Sequence, residues 1–344
     1  MTIPTTTLLE MVRLNRRFGV LLGCGVSISA ALQVLVEEAS PGYREVLRRM
    51  AESVRSGGGF TDPLVDFPEQ VPAVYREWVR IGEQTGTLDI GAQEVAELLE
   101  PVAVGGGDAE LGWERIEGAV SLIQFTRRCA ELLEKGLEWW RVLYLLTLEA
   151  PPNFAEAIGQ LLPKRDDPHG WQTLWQRMEQ YPHTFSPFYR AMVRLGWESR
   201  AMDEIMRNLA DLLYEDWRLA RRNRCYPRRA SLIIEQDSAP AANWQALAEP
   251  QQKLTTVIFC RAAAMLVSAG HDPAEAFAAC ALLLPAAEQE ILKSRLDEDD
   301  PVAALRDLAC FPPFVLALLD CGHSHGRLDF ALSQAATVLH AEME

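Results

Sequence analysis

The sequence lacks the features of a membrane-spanning or secreted protein. No window of roughly 18 uninterrupted apolar residues occurs, so no membrane-spanning helix is expected. Charged residues, among them Glu10 and Arg13, interrupt the N-terminal region, so no signal peptide is expected. The 7 cysteines form no C-x-x-C pair, which favours reduced, buried thiols over a disulfide framework. We therefore expect a soluble cytoplasmic protein.

Basic residues are scarce. The 344-residue chain has 33 Lys and Arg against 48 Asp and Glu, a formal net charge of −15. This balance disfavours binding to nucleic acid or to an anionic membrane surface. One cluster of arginines departs from it: Arg218, Arg221, Arg222, Arg224, Arg228 and Arg229. The cluster is either an anchor for an acidic partner or phosphate-bearing surface, or cations favoured at a helix C-terminus and in a solvated linker.

The sequence contains no recognisable catalytic motif. Gly57–Gly59 do not follow a strand and lack the Lys-Ser/Thr of a phosphate loop. The acidic run Asp297–Asp300 lacks the spacing of a calcium loop. Cys321, His323 and His325 could hold a metal, but they fall in an ordinary turn of the repeat described next. We predict no catalytic residue, metal, cofactor or small-molecule substrate, and hence no enzyme.

Three stretches of the chain share one helical pattern. Aligning Gly82, Gly196 and Gly322 places apolar residues at the same offsets, with the i, i+4, i+7, i+11 spacing of one helix face. These positions are Leu88, Ala92, Val95 and Leu99; Met202, Met206, Leu209 and Leu213; and Leu328, Leu332, Ala335 and Leu339. The pattern predicts a helix, a glycine-containing turn and a last helix in each of three copies.

A second glycine recurs upstream in each copy. Gly25, Gly136 and Gly270 each end an apolar helix, where they can provide a left-handed C-cap. A second helix then begins, and its expected N-caps are Ser27, Glu138 and Asp272. Glu138 is the poorest cap of the three. We assign structural turns to Gly25, Gly82, Gly86, Gly136, Gly196, Gly270, Gly322 and Gly326.

These repeats predict an all-α protein of three tandem helical-bundle domains, of which the second and third are diverged. The predicted ranges are 1–100, 119–220 and 251–344, with a Gly-rich linker at 101–118 and a Pro/Arg-rich linker at 221–250. Tryptophans such as Trp139 and Trp140 lie in helical patterns. Core packing is the expected role for them, and an exposed contact patch is the alternative.

The first copy carries a recognisable motif. The segment GEQTG (Gly82–Gly86) followed by Thr87 and Leu88, together with FGVLLGCGVSISAAL and GGGFTDP, resembles the F domain of type II secretion systems and of type IV pilus PilC proteins. The resemblance is best over residues 10–100. It implies antiparallel bundles of about six helices, in a family whose members form an inner-membrane platform that couples an assembly ATPase to pilin insertion.

The resemblance implies a function in binding other proteins. The chain departs from the family pattern because it has three copies instead of two and no membrane spans. We therefore expect a noncatalytic soluble scaffold or adaptor that binds the assembly ATPase or another machinery component. It would be cytoplasmic, or peripheral to the inner membrane through its partners. The alternative is a repurposed helical interaction or regulatory module unconnected with secretion.

Candidate partner-binding residues are few. They are Glu83, Gln84, Arg221, Arg222 and Arg224. Glu83 is either a partner contact or a structural charge at its turn, and the aligned positions hold Trp197 and His323, so the fold does not require it in every copy. Self-association is also expected, either between chains or between copies within one chain.

Overall fold

The structure is a computed structural model. It describes residues 5–89, 91–93, 95, 96, 99, 109–150, 152–162, 174–222, 243–296 and 300–343. Within these ranges the chain is helical and contains no β-strand, which confirms the all-α prediction. The helices fall into two compact units, residues 1–124 and residues 125–344, and the boundary between the units lies inside one helix.

The first unit begins with four α-helices. They are α1 (Thr5–Gly23), α2 (Ile28–Glu38), α3 (Pro41–Arg55) and α4 (Ala73–Thr85), with a short 3-10 helix at Asp62–Asp66 between α3 and α4. The described residues between 88 and 99 are also helical. Helix α5 (Ala109–Glu134) runs from the first unit into the second.

The second unit continues with eleven further α-helices in its described ranges. They are α6 (Trp139–Glu149), α7 (Pro152–Leu161), α8 (Leu174–Met178), α9 (Pro187–Glu198), α10 (Met202–Arg222), α11 (Glu249–Ser268), α12 (Pro273–Cys280), α13 (Ala286–Arg295), α14 (Ala303–Arg306), α15 (Pro313–Ser324) and α16 (Leu328–Ala341). Short 3-10 helices lie at Trp244–Ala246 and Ala281–Leu283.

The two units do not coincide with the three predicted domains. The second unit contains both the 119–220 and the 251–344 ranges, so the threefold division stays a prediction. The predicted linker boundaries also differ from the structure. Residues 109–118 are the beginning of α5, and residues 101–108 and 223–242 lie outside the described residues.

The predicted apolar faces form the core of each unit. All twelve aligned positions that were predicted to share a helix face are buried, with exposed fractions from 0% to 8%. Each such face is spaced at about 3.6 residues per turn, so burying it fixes how the helix rotates against its neighbours. The helix after each glycine-containing turn therefore packs through the same apolar residues that identified the repeat.

The upstream glycines adopt the left-handed conformation. The φ angles of Gly25, Gly136 and Gly270 are +82°, +77° and +88°, a region that side-chain-bearing residues avoid. After the turn, the Asp272 side chain accepts a hydrogen bond of 2.8 Å from the Ala274 amide. Ser27 accepts one of 3.3 Å from Ala30, whereas Glu138 makes no side-chain cap bond. Glu138, which the sequence predicted to be the poorest of the three N-caps, is thus the one that makes no side-chain cap bond.

The downstream glycines divide into two groups. Gly86 and Gly326 have φ angles of +70° and +65° and end their helices, and Arg200 has a φ of +59° at the aligned place. The turn assignment of Gly82, Gly196 and Gly322 requires correction, because these three lie within α4, α9 and α15. At Gly196 and Gly322 the absence of a side chain permits close helix packing: a Cβ on Gly196 would lie 2.9 Å from the Met202 sulfur, and one on Gly322 would lie 2.3 Å from the Ala331 Cβ.

Two aligned pairs of positions hold the same buried contact. In the first unit, the Tyr75 hydroxyl donates to Asn15 Oδ1 across 3.1 Å and joins α4 to α1. In the second unit, the Thr126 and Tyr189 hydroxyls share a hydrogen bond of 2.9 Å that joins α5 to α9. The third pair of aligned positions holds Cys260 and Val315, both buried. A less polar pair there needs no hydrogen-bond partner.

Candidate functional site

The GE-x-x-G motif folds onto its own unit. Glu83, which is half-buried in α4, accepts hydrogen bonds from the Phe60 amide, from the Thr61 amide at 3.1 Å and from the Thr61 hydroxyl at 2.5 Å. These bonds hold the segment that precedes the short 3-10 helix. The geometry favours the structural interpretation of Glu83, and the neighbouring Gln84 is exposed.

The GGGFTDP stretch contains the segment to which Glu83 is hydrogen-bonded. Gly57 has a φ of +82°, and the Ser53 hydroxyl donates to the Gly59 carbonyl across 2.7 Å. The Asp62 carboxylate accepts from the Gly59 amide at 2.9 Å. Two of the three sequence motifs behind the family resemblance thus meet in space, and they stabilise one loop of the first unit.

The structure describes only the backbone position of two of the three arginine candidates. Arg221 and Arg222 are the last two residues of α10, where the helix dipole favours positive charge, and Arg224 lies outside the described residues. Their role in binding stays a prediction.

The Cys-His cluster is a helix end. His325 Nδ1 lies 2.8 Å from the Cys321 carbonyl and 3.8 Å from the Cys321 Sγ. Within the described ranges, no group of three or more His, Cys, Asp or Glu side chains is placed to hold a metal ion. A ring nitrogen bonded to the last turn of its own helix fulfils a capping role.

An exposed apolar stripe runs along α6 in the second unit. Trp140, Tyr144 and Leu148 recur every four residues and are 41%, 54% and 68% exposed. The opposite face of the helix is buried through Val142, Leu143 and Leu146. Helix α6 is therefore apolar on two faces, although only one of them packs against its own unit. We call Trp140, Tyr144 and Leu148 the α6 stripe.

The sequence placed Trp140 in the core, and that expectation was wrong. Trp140 lies about 200° around the helix from the buried Val142, so it cannot face the core that Val142 and Leu146 enter. Trp139 is half-buried and Trp140 faces outwards. The signal that could have located the stripe is the second apolar series at i, i+4 and i+8 on the far side of the buried series.

Polar contacts hold the tryptophan of the stripe in place. The Trp140 indole nitrogen donates to Glu138 Oε2 across 2.8 Å. The Arg141 guanidinium carbon lies 5.0 Å from the Trp140 ring centroid, within the range of a cation–π contact. A ring restrained in this way loses less conformational entropy when a partner covers it.

Among the three predicted copies, only the second has large apolar residues at all three positions of the α6 stripe and exposes them. The aligned positions in the first copy are Ser29, Gln33 and Glu37, and those in the third are Ala274, Ala278 and Leu282. Of the corresponding helices, α2 exposes one large apolar side chain, Val34 at 44%, and α12 exposes none, so neither carries a stripe. The fold does not require the stripe, so its cost in exposed apolar surface points to a function in binding.

Comparisons with known proteins give one family. The family model for type II secretion system (T2SS) protein F matches residues 15–101 and 125–224, which together exceed half of the chain. The type 4 fimbrial assembly protein PilC of Pseudomonas putida is 33% identical over 87 residues, which are 25% of this chain and 22% of that protein. The aligned region therefore spans only about a fifth of that relative's length.

The described helices include no candidate for a membrane crossing. None of them combines sufficient length with a sufficiently apolar sequence. Helix α5, the longest of them at 26 residues, carries charged residues such as Arg127, Arg128 and Glu131.

Proposed function

Because the chain belongs to the type II secretion system protein F family, we propose that it is a noncatalytic scaffold in a secretion or type IV pilus assembly machine. Its partner would be the assembly ATPase or another component of that machine, bound from the cytoplasmic side at the inner membrane. The observation that carries the proposal is the α6 stripe, an exposed apolar surface that the fold itself does not use.

The size of the α6 stripe suits a protein contact. Its three side chains expose about 350 Å² of largely apolar surface, within the roughly 300–600 Å² that the largest patch of an ordinary monomer covers and that is often functional. At about 25 cal/mol per Å², covering that surface contributes roughly 9 kcal/mol at most before the entropy of association is subtracted. A stripe spaced at four residues is the form that one helix presents to another.

We also propose that the chain consists of three diverged copies of one domain, with the ranges predicted from the sequence. Three observations support this. The order of helices recurs, a left-handed residue recurs at Gly86, Arg200 and Gly326, and the buried Asn15–Tyr75 contact has an aligned counterpart. The second and third copies then pair within one chain through α10 and α11.

Capture of the ATPase tests the proposed function. The full chain is tagged in its native host, and the proteins that co-purify at physiological salt are identified by mass spectrometry. We expect the assembly ATPase to be enriched with the unmodified chain and lost with Tyr144→Asp combined with Leu148→Asp. The control is Phe314→Asp, because Phe314 is 55% exposed on α15, away from the stripe.

Two results would count against the proposed function. If no secretion or pilus component co-purifies, the scaffold proposal fails and the repurposed interaction module takes its place. If the ATPase is captured equally well by the stripe variant, the stripe is not the contact surface. Circular dichroism of each variant separates lost binding from lost folding.

A further inference from the structure

The second unit contains an open groove that neither the family motifs nor the α6 stripe includes. It has a volume of 540 Å³ and lies between α10, α11 and α16. Leu212, Ala264 and Met265 contribute its apolar floor, and Phe330, which is 49% exposed, forms one wall. We call this cavity the α10–α16 groove.

The positive charge on the α11 side of the groove is already neutralised. Arg261 on α11 forms an ion pair with Glu215 on α10, and its Nη2 lies 2.7 Å from His340 Nδ1. Arg327, the other arginine of the lining, has its guanidinium carbon 4.6 Å from the Phe330 ring centroid. Both cations are therefore engaged with neighbouring side chains.

Negative charge remains on both walls. Glu204 on α10 and Asp329 on α16 line the groove. Within the described residues no hydrogen bond or ion pair occupies either carboxylate, although Arg207 is close enough for its charge to act on Glu204. A third carboxylate, Asp211, is bound to Arg127 across 2.9 Å. Desolvation raises the pKa of Asp211 and the nearby Arg127 and Arg207 lower it, while its side chain is 67% exposed.

We propose that the α10–α16 groove binds a cationic amphipathic helix from another protein. Its apolar side chains would cover Phe330 and the floor, and its Lys or Arg side chains would reach Glu204 and Asp329. Charge complementarity selects this occupant, because Glu215 and Asp211 are each paired with an arginine, whereas the Glu204 and Asp329 carboxylates stay open to a cation. The walls are themselves helices and the cavity is open, a form that suits a helix better than an enclosed small molecule.

This inference goes beyond the scaffold function proposed above. It concerns a different surface, and its test uses no secretion component. The two proposals can therefore fail independently.

A pair of designed peptides tests the proposal on the full chain. One is a fluorescein-labelled helix of about 14 residues made of Leu and Lys, with all Leu on one face, and the other has Glu in place of every Lys. Fluorescence anisotropy measures the binding of each peptide at physiological salt. We expect the Leu/Lys peptide to bind and the Leu/Glu peptide not to bind.

Variants then locate the binding site. We expect Phe330→Ala, and separately Asp329→Lys, to weaken binding of the Leu/Lys peptide about tenfold. The matched control for charge reversal is Glu290→Lys, at an exposed carboxylate of α13 outside the groove. The control for the α6 stripe is Tyr144→Asp. Neither control should change the affinity by more than about twofold.

Several outcomes would overturn the proposal. Equal binding of both peptides means nonspecific apolar adhesion, and no binding of either means that the groove is not a helix site. Equal weakening by Glu290→Lys attributes binding to the overall negative charge of the chain. Loss of binding in Tyr144→Asp places the peptide on the α6 stripe. A thermal midpoint that matches the unmodified chain rules out misfolding for each variant.

Discussion

Replacing Glu83 with alanine separates the two interpretations of the GE-x-x-G motif. In the structure, the Glu83 carboxylate accepts hydrogen bonds from the Phe60 amide, the Thr61 amide and the Thr61 hydroxyl. Both residues that donate these bonds are only 3% exposed. Water therefore cannot readily replace the missing carboxylate, and the loop should be destabilised.

The size of that effect follows from the number and type of bonds. A hydrogen bond to a charged group contributes about 1.5–3 kcal/mol, and a buried N–H left without an acceptor costs about 1–3 kcal/mol. Because the loop can relax towards solvent, we expect a net loss of about 3 kcal/mol. Glu83→Gln keeps one acceptor oxygen, so it should lose about half as much.

Hydrogen exchange measured by mass spectrometry on the full chain detects this loss locally. The peptide that contains Phe60 and Thr61 should exchange on the order of 100-fold faster in Glu83→Ala, because 3 kcal/mol corresponds to about that factor. The thermal midpoint of the first unit should fall by about 10 °C. Glu69→Ala is the control, since Glu69 is exposed and close in sequence to the loop.

One result would refute this reasoning. If Glu83→Ala leaves exchange at Phe60 and Thr61 unchanged but abolishes capture of the ATPase, Glu83 is a partner contact rather than a structural charge.

Three further experiments test the helix packing, the backbone conformation and the protonation state of a buried thiol. Gly322→Val should lower stability by about 3 kcal/mol, seen as a lower thermal midpoint, because the added Cβ would lie 2.3 Å from that of Ala331. Arg200→Gly should raise stability by about 1 kcal/mol, measured by urea unfolding, because Arg200 has a φ of +59°. Burial raises the pKa of Cys260 to about 12, so its thiol stays protonated and should resist an aromatic disulfide reagent at pH 8, while exposed Cys24 reacts.

Much of the fold could be predicted because its signals are local. Helix faces follow from residues three and four apart, so the buried series that begins at Met202 and the series that begins at Leu328 were readable from sequence. The left-handed caps at Gly25 and Gly270 are likewise properties of one turn. Gly322 was misplaced because a glycine inside a packed helix and a glycine that ends a helix give the same local signal.

The candidate sites depend on distant residues, which local patterns do not reveal. Glu83 bonds to a loop more than 20 residues earlier, and that distance in sequence carries no periodic signal. The α10–α16 groove exists only because two helices far apart in sequence pack beside α11. The α6 stripe was hidden for another reason: a helix that is apolar on two faces looks like a fully buried one.

Site-specific photocrosslinking tests the scaffold proposal most directly. A photoreactive phenylalanine derivative replaces Tyr144 in the full chain, and cells of the native host are irradiated. The same derivative at Phe314, an exposed position away from the α6 stripe, is the control. We predict a covalent adduct between position 144 and a component of the secretion or pilus machine, with the ATPase as the expected partner, and no such adduct from position 314. An adduct from both positions alike, or none with any component of the machine, would contradict the proposal.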